Sequence, residues 1–296
     1  MKILIVSGFL GAGKTTFIKH LAKNINMEFV VLENEYADVG IDKDFLNEKN
    51  LNVWEMSEGC ICCSMTGDFK ASIRNIYMQI TPEYLLIEPT GVGMLSSIIK
   101  NIQAIEDCDI TLLNPITMID ATCFDEYLFN FKDFFEDNIL NTGKIILTKL
   151  NDCSSFDIKK IQEDILNINS NSKIISEDYR NLSQNFLEDI FNTNIENKEI
   201  QANFKIANHI NLKTFSKTNF NIDSMDKLGL FLHKIVNGDF GKVYRAKGIV
   251  KIDGQWGKFN IVHKNFEMEA CPQNDETKLV IIGNNLAVND IENFLI

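Results

Sequence analysis

Along the first two-thirds of the chain, short uninterrupted apolar runs alternate with segments whose apolar positions recur every three to four residues. Runs at 2–6, 28–33, 84–88, 116–120 and 144–148, with a shorter one at 51–54, predict strands buried on both faces. Helical periodicity at 14–25, 66–79, 94–103, 154–168 and 183–191 predicts helices between them. Turn signals at Gly8, Gly59 and Pro89-Thr90-Gly91 fall where the strands should end. This alternation implies an α/β fold, a mainly parallel sheet covered by helices. Residues 193–204 are polar and aperiodic, an expected linker between residues 1–192 and residues 205–296. Beyond it the pattern predicts a strand at 205–214, a helix at 224–236, strands at 243–252, 258–263 and 277–282, and a terminal helix at 286–295. That order describes a smaller α+β domain.

Composition narrows the classes. The 296 residues are 45% hydrophobic and 24% charged, a globular balance rather than a disordered one. Net charge is −12, from 29 basic and 41 acidic residues, which disfavours non-specific binding to nucleic acid or to an anionic membrane. No apolar run approaches the roughly 18–20 residues that span a bilayer. The apolar start leads directly into a glycine-rich loop, the wrong continuation for a signal peptide, so the expected compartment is the cytoplasm. Three of the seven cysteines crowd into Cys60-Ile61-Cys62-Cys63, which is not the spacing of a secreted disulfide framework.

Gly8-Phe9-Leu10-Gly11-Ala12-Gly13-Lys14-Thr15 fits G-x-x-x-x-G-K-[ST] between a predicted strand and a predicted helix, the context of a phosphate-binding P-loop. Backbone N–H groups of Gly11, Ala12, Gly13 and Thr16 would surround the phosphates at a helix N-terminus. Lys14 would reach the β- and γ-phosphates and the Thr15 hydroxyl would bind Mg²⁺. Glu88, ending a predicted strand, is the candidate acid behind that ion, and Gly91 would let its N–H approach the γ-phosphate. Thr148-Lys149-Leu150-Asn151-Asp152 stands where guanine-binding proteins carry N/T-K-x-D, but Asn151 replaces the base-reading Asp. The plainer account of this last segment is a strand-to-helix loop with Asp152 or Ser154 as N-cap.

Cys60, Cys62 and Cys63 could supply three soft ligands, which favour Zn²⁺ or Cu⁺ over Mg²⁺, and leave a position open, which suits exchange of the ion better than permanent holding. Glu33 and Asp38 could add oxygen ligands. The alternative is buried cysteines serving as small hydrophobes. The four histidines, His20, His209, His233 and His263, are dispersed and read as surface or core residues.

Together the P-loop, Glu33-Asn34-Glu35-Tyr36-Ala37-Asp38-Val39-Gly40, Gly59-Cys60-Ile61-Cys62-Cys63, Glu88-Pro89-Thr90-Gly91 and Thr148-Lys149 resemble the CobW family of P-loop GTPases, relatives of the HypB and UreG metallochaperones. Val243 to Val250 and Leu279 to Gly283 resemble its C-terminal domain. The resemblance implies a GTP-hydrolysing metal chaperone carrying zinc, or cobalt, to a client metalloprotein or a cofactor-synthesis enzyme, with GTP and Mg²⁺ as cofactors. It also implies that 34–42 is a switch segment. A homo-oligomer is compatible with it; nucleic acid and membrane are not expected partners. Tyr36-Ala37-Asp38 departs from the family's usual Phe-Gly-Glu. Two rivals share the P-loop: a small-molecule kinase, which needs lid arginines such as Arg180, and a nucleotide-binding module with a structural zinc.

Overall fold

The computed structural model describes residues 1–33, 51–55, 66–89, 93–195, 212–262 and 265–295. They fall into two compact units, one of the described residues up to 195 and one of those from 212 onward.

In the first unit β1 (Lys2–Gly8) is central. The sheet around it contains β2 (Phe29–Glu33), β3 (Leu51–Glu55), β4 (Tyr84–Glu88), β5 (Thr111–Leu112), β6 (Ile116–Asp120), β7 (Lys144–Thr148) and β8 (Lys173–Ile175). The order is β3-β2-β4-β1-β6-β7-β8, and the short β5 pairs with the start of β1 while β6 pairs with its end. Each of these pairings is parallel. Helices α1 (Lys14–Asn24), α2 (Thr66–Gln79), α3 (Leu95–Gln103), α4 (Phe124–Asn130), α5 (Lys132–Leu140), α6 (Ser155–Ile168) and α7 (Gln184–Asp189) connect or follow the strands.

The strands read as continuous apolar runs because each feeds two cores. Leu4 and Val6 of β1 join Phe17, Ile18 and Leu21 of α1 on one face. Ile3 and Ile5 join Ile73 and Ile76 of α2 and Ile98 and Ile99 of α3 on the other. Alternate residues of a strand point to opposite faces, so a doubly covered strand has no polar phase. Each such side chain contributes about 1.5–3 kcal/mol on burial.

The sequence pattern missed α4, α5, β5 and β8. The two helices are 7 and 9 residues long and break at Phe131, too short for a periodicity window. Residues 193–195 also differ from a bare linker: Thr193 and Leu112 backbone oxygens accept from Asn114 and Ile195, and Asn194 bridges to Leu113.

The second unit is an antiparallel sheet ordered β12-β11-β10-β13-β9. Its strands are β9 (Lys213–Thr218), β10 (Lys242–Ile252), β11 (Gln255–Val262), β12 (Asn265–Ala270) and β13 (Lys278–Asn284). Helices α8 (Met225–Asn237) and α9 (Val288–Phe294) supply Leu228, Phe231, Ile235 and Ile291 to its core. Asp253 and Gly254, at φ 50° and 80°, make the two-residue turn joining β10 to β11. The first strand begins at Lys213 and runs to Thr218, later than the 205–214 expected, and residues 205–211 lie outside the described ones. The edge strand β12 was not anticipated. Among the described residues no helix is long and apolar enough to cross a membrane.

Helix α3 has Met94 at its N-cap, which offers no capping oxygen. Asp137 of α5 caps it from outside: Oδ2 accepts the Ser96 N–H at 3.0 Å. Burial pushes the Asp137 carboxyl above its ordinary range, against the hydrogen bonds from Ser96 and Leu95 that lower it. A raised folded-state pKa means stability that is full below the unfolded pKa and lost as pH rises through the folded one. Asp137→Ala should cost about 1 kcal/mol through the lost cap. Asp137→Asn keeps an acceptor oxygen and removes the buried charge. Its thermal midpoint should gain on the parent's as pH rises, and a pH-independent difference between the two would contradict the assignment.

Candidate functional site

Because β2, β4, β1, β6 and β7 run in parallel, their C-terminal ends share one rim. The chain leaves β1 for the β2 side and later returns to β6 on its other flank, so a crevice opens beyond the end of β1. Gly8, at φ 138°, ends β1 there; a Cβ on it would lie 2.2 Å from the Met118 carbonyl oxygen of β6. The loop that follows is anchored by Phe9, whose ring lies 4.2 Å from Tyr127, 4.8 Å from Phe131 and 5.5 Å from Phe134. The unanticipated α4 and α5 are therefore the bed of this loop.

Gly11 and Gly13 adopt left-handed backbone, φ 73° and 94°, which a glycine reaches without strain. Gly13 is the N-cap of α1 and brings no side-chain oxygen to the helix's first turn. A helix start of this kind concentrates N–H donors and partial positive charge, a fit for an anion. Ala12 is buried and Thr16 exposed. Lys14 is 5% exposed, and its Nζ donates to the Gly8 and Phe9 carbonyls at 3.0 and 3.3 Å. The Thr15 hydroxyl donates to Glu88 Oε1 at 2.8 Å. Glu88 ends β4 and Glu33 ends β2; they are register partners, and both are buried. A hydroxyl and a carboxylate in contact are hard oxygen donors of the type Mg²⁺ takes.

The far side of the crevice is made by β6 and β7. The Thr148 hydroxyl lies within hydrogen-bonding reach of the Ala12 and Ile119 carbonyls, at 3.1 and 3.3 Å, tying the glycine-rich loop to both strands. Lys149 follows in left-handed backbone at φ 57°, a conformation costing about 1–3 kcal/mol in a residue with a side chain. Its Nζ donates to Asp120 Oδ2 at 2.6 Å. Asn151 is exposed in the turn Leu150–Asp152, and Ser154, not Asp152, caps α6, with Asp157 completing a capping box.

Lys14, Thr15, Glu88, Glu33, Thr148 and Lys149 thus lie on one rim. Cys60, Cys62, Cys63, Asp38 and Gly91 lie outside the described residues. Among the described residues no group of three or more histidine, cysteine or acidic side chains is placed to hold a metal. His20 and His233 sit beside Asn24 and Asn237, one turn along their helices. Arg180, the lid candidate, is engaged by Asp178 through three side-chain bonds of 2.5–3.0 Å. Asp120 was not singled out from the sequence. Its signal was available: β6 ends on an acid at the same rim as Glu88.

The family model of the CobW/HypB/UreG nucleotide-binding domain matches residues 2–176, and the cobalamin synthesis protein cobW C-terminal domain matches residues 219–295. Among relatives, zinc chaperone YjiA of Escherichia coli is 26% identical over 200 residues, covering 65% of this chain and 61% of YjiA. The aligned part is thus less than two-thirds of that protein. The zinc-regulated GTPase metalloprotein activator 1 of Schizosaccharomyces pombe is 26% identical over 339 aligned positions, covering 96% of this chain and 82% of its own. The crystal structure of Zn(II)-bound YjiA GTPase from E. coli superimposes with a TM-score of 0.48 at 19% identity, over 99% of this chain and 97% of that one. With its nucleotide-binding domain matched over residues 2–176, the chain belongs to the CobW/HypB/UreG family.

Proposed function

We propose that this chain is a GTP-hydrolysing metallochaperone that binds zinc at Cys60, Cys62 and Cys63 and passes it to a client metalloprotein or cofactor-synthesis enzyme. The observation that carries this reading is the rim itself: Lys14, the Thr15–Glu88 pair and the Thr148–Lys149 turn surround one crevice at a glycine-capped helix start. Relatives named as zinc chaperones and as a zinc-regulated GTPase activator support the choice of zinc.

In this proposal the phosphate chain lies over Gly11 to Thr16, bound by backbone N–H groups, and Lys14 turns from the Gly8 and Phe9 carbonyls to the phosphates. Thr15 and Glu88 would hold Mg²⁺, which when bound neutralises charge on the β- and γ-phosphates. Lys149 covers the base, and Asn151 accepts from it. Gly91 receives the γ-phosphate. Catalysis here is positioning and charge stabilisation. Two of the chain's three arginines, Arg74 and Arg180, are bound to Asp107 and Asp178, so hydrolysis should be slow until a partner completes the site. The engagement of Arg180 also counts against a kinase lid. In the same proposal Glu33, beside Glu88 on the rim, and Asp38 of the switch segment would add oxygen ligands to a metal held by the cysteines.

Phosphate release from GTP, with and without added zinc, tests the reading. Lys14→Ala should abolish release and keep the circular dichroism spectrum of the folded parent. Near-normal turnover in that variant would refute the phosphate assignment. The cysteine triple variant Cys60→Ser, Cys62→Ser, Cys63→Ser should lose stoichiometric zinc binding, measured by competition with a chromogenic chelator, while still binding GTP. Undiminished zinc affinity would put the ligands elsewhere. An Asn amide accepts one guanine proton where an Asp accepts two, and a charged hydrogen bond is worth about 1.5–3 kcal/mol. Asn151→Asp should therefore raise the preference for GTP over ATP by roughly ten- to a hundredfold. An unchanged ratio would remove Asn151 from base recognition.

A further inference from the structure

Asp120 ends β6 with its side chain fully withdrawn from solvent, at 0% exposure. Both carboxylate oxygens are occupied. Oδ1 accepts the Thr122 backbone N–H at 3.0 Å and the Thr122 hydroxyl at 2.6 Å; Oδ2 accepts Lys149 Nζ at 2.6 Å. A buried carboxylate is tolerated only when paired and hydrogen-bonded in this way. The ammonium it holds belongs to a residue in left-handed backbone, a conformation that persists only where its surroundings over-determine it. Thr148, the residue before, is the register partner of Asp120, and its hydroxyl is within reach of the Ile119 carbonyl. Two consecutive residues of the turn are thus fastened to two consecutive residues of β6. The Lys149 carbonyl in turn accepts the Asp152 N–H at 3.2 Å and closes the turn that carries Asn151.

We propose that Asp120 is a positioning residue for base recognition. With its Nζ fixed on Asp120, the Lys149 side chain extends from the end of β7 to the end of β6 and presents its alkyl stem as a fixed edge for a purine. The same ion pair sets where the turn places Asn151. Selectivity among purine nucleotides then depends on β6, a strand that makes no base contact of its own. This inference rests on the nucleotide-binding reading of the crevice. It separates two energies: phosphate binding on the Gly11–Thr16 side, and base discrimination on the Asp120–Lys149 side.

The test is a double-mutant cycle on the full chain, reading dissociation constants for GDP and ADP by calorimetry. Asp120→Asn keeps an acceptor for Thr122 and removes the charge that holds Lys149. It should weaken GDP by about ten- to thirtyfold and ADP, which loses only the contact with the Lys149 stem, by less, and so lower the GDP-to-ADP preference. In a Lys149→Ala background the same change should have almost no further effect, because the group it positions is gone. Equal losses for GDP and ADP, or an undiminished effect of Asp120→Asn in the Lys149→Ala background, would make Asp120 a structural anchor only and overturn the inference. If Asp120→Asn does not fold, Asp120→Glu retains the buried charge and shifts Lys149 by about one methylene, a displacement large enough to spoil alignment. It must lower the preference too, and an unchanged preference overturns the inference. A parent protein that binds GDP no better than ADP would instead refute guanine recognition at this crevice, and the role of Asp120 with it.

Discussion

The parallel pairing of β1 with β4 on one side and β6 on the other is the constraint on which the first unit depends. Parallel strands end together, so the polar residues that follow five separate apolar runs arrive at one edge without any long-range polar contact having to bring them there. That pairing requires a glycine at position 8, where the Met118 carbonyl leaves no room for a Cβ. It also requires helices on both faces, which is why β1 carries apolar side chains at every position from Ile3 to Val6.

Beneath the rim lies a second layer of buried polar side chains. The Ser7 hydroxyl donates to Asn138 Oδ1, the Asn138 amide donates to the Phe134 carbonyl, and the Thr117 hydroxyl donates to the Asn138 carbonyl. Asp137, the preceding residue of α5, caps α3, the helix that follows Glu88 and Gly91 in the chain. A single helix therefore supports the strand that enters the glycine-rich loop, the Phe9 ring within that loop, and the start of α3. Buried polar groups are costly unless fully bonded, and such a network favours one arrangement over its neighbours. Slight displacement of α5 would be felt both at the glycine-rich loop and at the start of α3.

What the sequence disclosed followed from how local each signal is. The glycine-rich loop could be read because its residues are adjacent and each has a separate backbone or charge requirement. Glu88 could be read because an apolar run ends on it. Asp120 ends an apolar run in the same way and was passed over; in the structure it also caps the following turn by accepting the Thr122 N–H. Its bond to Lys149 spans 29 positions and has no sequence signature. Helices α4 and α5 escaped because Phe124, Tyr127, Phe131, Phe134 and Phe135 straddle a break and serve one aromatic cluster rather than one helical stripe. The cap on α3 escaped because the capping carboxylate comes from another helix.

The central proposal is that nucleotide and metal change one another's affinity. Linkage requires that if GTP changes the affinity for zinc by some factor, zinc changes the affinity for GTP by the same factor. The direct measurement is the zinc dissociation constant of the reduced protein loaded with GDP and with a non-hydrolysable GTP analogue, repeated in Asp38→Ala. The account predicts a difference of about 5- to 150-fold between the two nucleotide states, corresponding to a coupling of about 1–3 kcal/mol, and its loss in the variant. Identical zinc affinities in the two states of the parent would contradict it, leaving two independent sites on one chain and no chaperone cycle.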